Sequence, residues 1–301
     1  MMSLINALPG AVAQGLIWGI MAIGVYLTFR IPDIADLTVD GSLGTGGAVC
    51  IMLMLSGQNV WVAMAGATAA GMAAGLATGI LHTFMGIPAI LAGILTQLGL
   101  YSINLKTMGK ANQAINVDKY DLLVSLRFIR KVPFYKNTIL IVAIAITLLI
   151  VVLYWFFGTE LGCSLRATGC NDKMARAQGI NTDFNRVLGL MISNGLVALS
   201  GAMLCQYQGF ADINMGRGAI VIGLAAVIIG EAIFGKVFRN FGFKLLAVAL
   251  GSIIYYLVLQ VVIWLGIDTD LLKLLSAGVV AVFLAIPTWK SRYFSNMGKR
   301  G

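Results

Sequence analysis

The sequence predicts an all-α fold, a single polytopic bundle of membrane helices, and three observations carry that expectation. The 301 residues are 59% hydrophobic and 11% charged, whereas soluble globular chains carry about 25% charged residues. Apolar runs recur from end to end, and about 20 such residues cross a hydrocarbon core of about 30 Å as a helix. The runs are continuous, as in residues 137–157 (NTILIVAIAITLLIVVLYWFF). A membrane β-barrel would instead alternate in segments of about ten residues.

Hydropathy places candidate spans at 6–29, 41–56, 60–82, 86–105, 137–157, 187–207, 217–235, 243–264 and 269–288, about eight or nine crossings in one transmembrane domain covering 1–301. The first span is expected to be retained, because no Lys or Arg precedes Arg30 and the apolar run is too long for a leader. The second (GSLGTGGAVCIMLMLS) opens with four glycines in seven residues and is expected to be broken. The third contains AMAGATAAGMAAGLATG, small residues at spacings that let helix backbones approach. Gly86 and Pro88 precede the fourth, so it should begin or bend there.

Charged loops orient the bundle. Residues 158–186 carry Arg166, Lys173, Arg176 and Arg186; the 236–244 loop carries Lys236, Arg239 and Lys244; the tail carries Lys290, Arg292, Lys299 and Arg300. Crossing parity puts all three on one side, and the excess of bases makes that side cytoplasmic. The C-terminus is then cytoplasmic and the N-terminus external. The loop 106–136, also basic, falls on the outside and is expected to form a small external unit. Orientation and contact with membrane lipids account for the net charge of +9, without nucleic acid.

The polar residues exclude more than they assign. The four cysteines, Cys50, Cys163, Cys170 and Cys205, show no CxxC spacing and read as small hydrophobes. His82 is the single histidine, so a catalytic triad or histidine metal site has no material to build on, and no metal site or enzyme activity is expected. In PDIADLTVDGSLGTGGAV (32–49), an EF-hand register fails at Thr38 and Gly47, and the glycines lack a P-loop ending. What remains is an interrupted membrane segment with Asp40 as N-cap of a helix opening at Gly41. Asp36, Asp40, Gly41, Ser42, Gly44 and Thr45 become candidates to border a solute path, and Asp33 reads as a loop residue. Gln97 and Asn104, seven apart with Tyr101 between them, share one helix face. Asn194 and Glu231 are polar residues inside spans, where such groups face protein or water. They join the path candidates.

Between spans, NDKMARAQGIN forms a short amphipathic helix stopped at Gly179. This stretch, within LRATGCNDKMARAQGINTDFNRV, resembles the coupling region of permease subunits of bacterial ABC importers of the branched-chain amino acid and ribose type. The matches are Arg166-Ala167, Asp172-Lys173-Met174-Ala175 and Gly179-Ile180-Asn181. DLTVDGSL resembles the segment Asp-Leu-Ser-Val-Gly-Ser-Leu of the family's broken second span, with Asp40 as an extra residue. The resemblance implies a coupling element including Arg166, Asp172, Lys173, Met174, Ala175, Arg176, Gly179, Ile180 and Asn181. It implies two ATP-binding subunits on the cytoplasmic face, an extracytoplasmic binding protein, and a second permease copy or related subunit in the cytoplasmic (inner) membrane. ATP and Mg would belong to the partner, leaving this chain without a cofactor. The implied solute is an amino acid, with aromatic ones such as tryptophan or tyrosine favoured. Sugar or nucleoside import and an ion-coupled secondary transporter stand as alternatives.

Overall fold

The computed structural model describes residues 2–117, 120, 122–126, 137–235, 237–238, 240–265, 274, 277, 278, 280–282 and 285. Most of the expected ninth span, the tail, Lys236, Arg239 and most of 118–136 therefore lie outside the described residues. Ten α-helices and two short strands make up the fold there. The helices are α1 (Met2–Arg30), α2 (Val39–Leu55), α3 (Val60–Thr83), α4 (Ala89–Met108), α5 (Thr138–Phe156), α6 (Glu160–Cys170), α7 (Asp172–Ala177), α8 (Thr182–Gln208), α9 (Ala219–Phe234) and α10 (Phe241–Trp264). Strands β1 (Asn112–Ala114) and β2 (Phe210–Asp212) pair antiparallel, a small addition to the all-α expectation.

Six of the helices (α1, α3, α4, α5, α8, α10) are long and apolar enough to cross a membrane, while α2 and α9 are shorter. Alternating helix directions put the segments 31–38, 84–88 and 157–181 and residues 235, 237, 238 and 240 at one end, the α7 end. The β1–β2 ladder sits at the other. Burial sorts the bundle: α1 and α8 run through its middle, whereas α4 and α5 lie at the periphery with most of their surface outward.

Small residues bring the central helices together. A Cβ at Gly71 or Gly75 on α3 would run into the carbonyl of Asn194 or Leu190 on α8, and one at Gly79 would come within 3.0 Å of Val187. The same holds between α2 and α8, where Gly46 faces the Ala198 carbonyl and Gly201 faces that of Leu43. Direct backbone contact of this kind maximises dispersion between helices that gain little from hydrophobic burial inside lipid.

This corrects the reading of the glycine-rich start of the second span. No glycine in α2 has positive φ, and the helix is continuous from Val39 to Leu55. Its glycines serve packing, and the break lies upstream, in the nonhelical linker 31–38. That linker is largely buried, except at Asp33 and Ala35. Asp33 holds φ 54° in an exposed turn. Seventeen residues rise only about 26 Å, so α2 starts inside the bundle.

The loop 158–186 also differs in detail. Two helices fill it, with Arg166 on α6 and the remainder of the motif on and after α7. Each start is capped by a side chain: Thr159, Asn171 and Asn181 accept from the N–H groups of Gly162, Met174 and Phe184, which fixes where each turn begins. Gly179 closes α7 at φ 80°, a conformation that favours glycine.

Gly46→Leu is expected to abolish the α2–α8 contact. Purified protein should lose at least about 1–3 kcal/mol of stability, read as a lowered melting temperature in detergent, while Gly57→Ala, in open space, should lower it by no more than about 1 kcal/mol, the strain of its positive φ.

Candidate functional site

Three elements meet around a cavity of about 230 Å³. Helix α4 supplies Gln97, Leu98, Tyr101 and Asn104; the start of α2 supplies Asp40 and Gly41; the segment before α9 supplies Ile213 and Arg217. Gln97, Tyr101 and Asn104 follow the helical repeat and so share a face. Gly41 allows α4 its close approach, because a Cβ there would lie 2.9 Å from Leu100 Cδ1 and 3.1 Å from Gln97 Cα.

Asp40 does not cap its own helix. That helix already begins at Val39, and the Asp40 carboxylate instead accepts from the N–H groups of Gly218 (2.9 Å) and Ile220 (3.0 Å). Those N–H groups open α9, whose cap residue Gly218 has no side chain and sits at φ 85°. A helix start inside the bundle has no water to satisfy it, and the carboxylate of α2 does so from outside. Gly216 makes the approach feasible: a Cβ there would collide with the Asp40 carbonyl.

A second polar group lies beside the cavity, fully enclosed. Asp36 accepts from the Thr38 N–H at 2.9 Å and from Asn194 Nδ2 at 2.6 Å. Asn194 also donates to the Leu190 carbonyl and accepts from Ser42 Oγ at 2.6 Å. Thr38, Thr78 and Thr96 continue the chain of hydroxyls into α3 and α4. Asp36, Ser42 and Asn194 thus form one knot that joins α2 to α8.

The other sequence candidates divide. Asn104 is buried against Gly44, where a Cβ would lie 3.4 Å from its Nδ2. Thr45 bonds back to the Gly41 carbonyl at 3.0 Å and points into its own helix. Glu231 is remote from the cavity, at the α7 end of α9, in a two-pronged ion pair with Arg30 whose Nε–Oε1 distance is 3.0 Å. It ties α9 to α1.

At the α7 end, the predicted coupling residues divide between ion pairs, caps and exposed surface. Asp172 pairs with Arg176 and Arg186, each at 3.3 Å. Arg176 also donates to Thr182 Oγ1 at 2.7 Å and to Asp183 at 3.1 Å. Ala175 is buried, Ile180 is half-buried and Asn181 caps α8. Lys173 and Met174 are exposed and unpaired among the described residues, with the exposed Phe184 beside them, while Arg176 and Asn181 are exposed but engaged. Arg166 lies apart, its guanidinium 4.2 Å above the Phe241 ring. Phe184, Ile213 and Arg217 escaped the sequence reading. A single base within INMGRGAIVIGL, directly before an apolar run, was the available signal for Arg217.

A family model described as "Branched-chain amino acid transport system / permease component" matches residues 8–290. The tyrosine transport system permease protein of Clostridioides difficile (strain R20291) is 37% identical over 283 residues, covering 93% of this chain and 91% of that protein. An uncharacterised protein of Rickettsia prowazekii (strain Madrid E) is 34% identical over 282 residues, 93% of this chain and 97% of its own length. The autoinducer 2 import system permease protein LsrC of Yersinia pestis (strain Pestoides F) is 30% identical over 214 residues, 70% of this chain and 58% of that protein.

Asp40→Ala removes two hydrogen bonds from the half-buried start of α9. The expected loss is about 1–3 kcal/mol of stability, measured by thermal or denaturant unfolding in detergent, whereas Gln97→Ala, at the cavity wall, should leave stability within about 0.5 kcal/mol of the parent.

Proposed function

The chain belongs to the family of branched-chain amino acid transport system permease components, and on that premise we propose that it conducts an amino acid, with an aromatic side chain, past the cavity between α2, α4 and Arg217. The observation that carries this reading is the convergence of Gln97, Tyr101, Asn104 and Arg217 on one cavity from segments far apart in sequence. Arg217 has no carboxylate partner among the described residues. A guanidinium suits a substrate carboxylate, and the amides and phenol suit a polar ring substituent. The printed name of the C. difficile relative supports tyrosine as the solute to test first.

The drive comes from outside this chain. ATP-binding subunits would dock on Lys173, Met174 and Phe184, exposed side chains of the α7 end. This face is cytoplasmic in the proposed orientation. An external binding protein would release solute at the opposite end, and a second copy or a related subunit would close the open side of the cavity beside α4. Motion of α7 passes to α8 through Arg176, which holds Thr182 and Asp183. Helix α8 has 27 residues, about 40 Å of rigid rod. It grips Asp36 and Ser42 through Asn194, and so reaches the start of α2 that borders the cavity. Tilting α8 moves that border, a rigid-body route to opening and closing the path.

Reconstitution with the ATPase and binding-protein subunits in vesicles tests the whole reading. Labelled tyrosine should enter on addition of ATP, and Arg217→Ala or Gln97→Ala should reduce uptake at least ~10-fold, about 1.4 kcal/mol, with melting temperature unchanged. Met174→Glu should abolish uptake together with ATPase binding. Uptake of a sugar but of no amino acid would overturn the substrate, and gradient-driven uptake by this chain alone would replace the mechanism with a secondary transporter.

A further inference from the structure

We propose that the pocket between α1, α6 and α10 at the α7 end binds the phosphate of an anionic phospholipid headgroup. The pocket has a volume of about 430 Å³ and is lined by Arg30, Arg166 and Lys244, together with Tyr26, Asn240 and Phe241. Arg30 is neutralised by Glu231, so the excess charge comes from the other two. Among the described residues, neither Arg166 nor Lys244 pairs with a carboxylate.

Among the described residues, Arg166 is held in place without spending its N–H groups. Its guanidinium carbon lies 4.2 Å from the Phe241 ring centroid and 5.4 Å from that of Phe157, contacts that fix the planar group by its face. The donors on its edge stay available to a phosphate oxygen. Asn240 precedes α10, and its side chain caps nothing, which leaves a neutral donor on the same wall.

The surroundings choose a lipid over a soluble anion. Tyr154 and Trp155 end α5 and are 51% and 71% exposed, and Phe243 at the start of α10 is 53% exposed. Exposed aromatic residues at helix ends mark the headgroup level of a bilayer. Helices α5 and α10 meet at this level, since a Cβ at Gly242 would lie 3.3 Å from the Tyr154 ring. Further along α5, Leu148, Val151 and Val152 form an outward apolar strip. Cations above an apolar strip match a phosphate above its acyl chains. An acidic loop of a protein partner would use the cations and leave the strip bare.

The full-length chain, delipidated in detergent, tests this by native mass spectrometry with phosphatidylglycerol and phosphatidylcholine in competition. Two cations near the surface, each worth about 1 kcal/mol, predict a preference of ~10-fold or more for phosphatidylglycerol. In Lys244→Gln and Arg166→Gln the preference should fall at least ~3-fold. Lys244 is exposed, so its variant keeps the test decisive even where the stacked Arg166 variant fails to fold. Equal retention of the two lipids, or an unchanged preference in Lys244→Gln, overturns the proposal. Displacement of phosphatidylglycerol by millimolar inorganic phosphate overturns the lipid source and leaves a free-phosphate site. Variants that lose the ATPase subunits while keeping the lipid preference overturn it in favour of a protein docking surface.

Discussion

A helix that starts inside a membrane protein has N–H groups and no water to take them. For α9 that need is met by one carboxylate, Asp40, whose two oxygens accept from Gly218 and Ile220. The glycines at 216 and 218, the early start of α2 and the position of the cavity all follow from this bond. Gly216 removes the Cβ that would keep the two segments apart. With Asp40 committed to the cap, the charge left to face the cavity is that of Arg217. The wall therefore carries both signs of charge, Asp40 held by the cap and Arg217 without a carboxylate partner among the described residues.

Asp36, four residues upstream, meets a different solution to the same constraint. Among the described residues it has no cation beside it; its partners are the Thr38 N–H and the Asn194 amide. Hydrogen bonds alone hold it, in a network where every polar atom has its counterpart across α2, α3, α4 and α8. A satisfied network of that kind specifies one packing of the helices, and a half-satisfied one would destabilise it. The network and the glycine contacts act on the same helix pair. Close backbone approach between α2 and α8 is what brings Ser42 within 2.6 Å of Asn194.

The span positions were legible because hydropathy accumulates locally along a chain. The expected 60–82 and 243–264 lie within two residues of Val60–Thr83 and Phe241–Trp264. The short helix expected within NDKMARAQGIN is α7, Asp172–Ala177. Partnerships were not legible. Asp40 looked like a cap, and it is one, but for a helix 180 residues away. Glu231 looked like a path residue because a carboxylate in a span is costly wherever it sits; only the fold shows that Arg30, 201 residues distant, offsets that cost. The glycine-rich start of α2 admitted both a bend and a close contact, since both need the absence of a Cβ. The φ values and the facing Ala198 decide for contact.

The two ends of α8 give this helix its mechanical meaning. At one end Asn181 caps it and Arg176 clasps its first turn; near its middle Asn194 holds α2; past its other end, the segment through β2 leads to the loop capped by Asp40. A rigid rod fixed at these points cannot move at the α7 end without moving the cavity wall, because helices packed through glycine and backbone slide or tilt as units instead of deforming. Bonds between polar side chains and backbone, not apolar burial, set the fixed points. That choice suits a bilayer, where apolar surface is indifferent to helix or lipid and only polar contacts and close packing can distinguish one arrangement from the next.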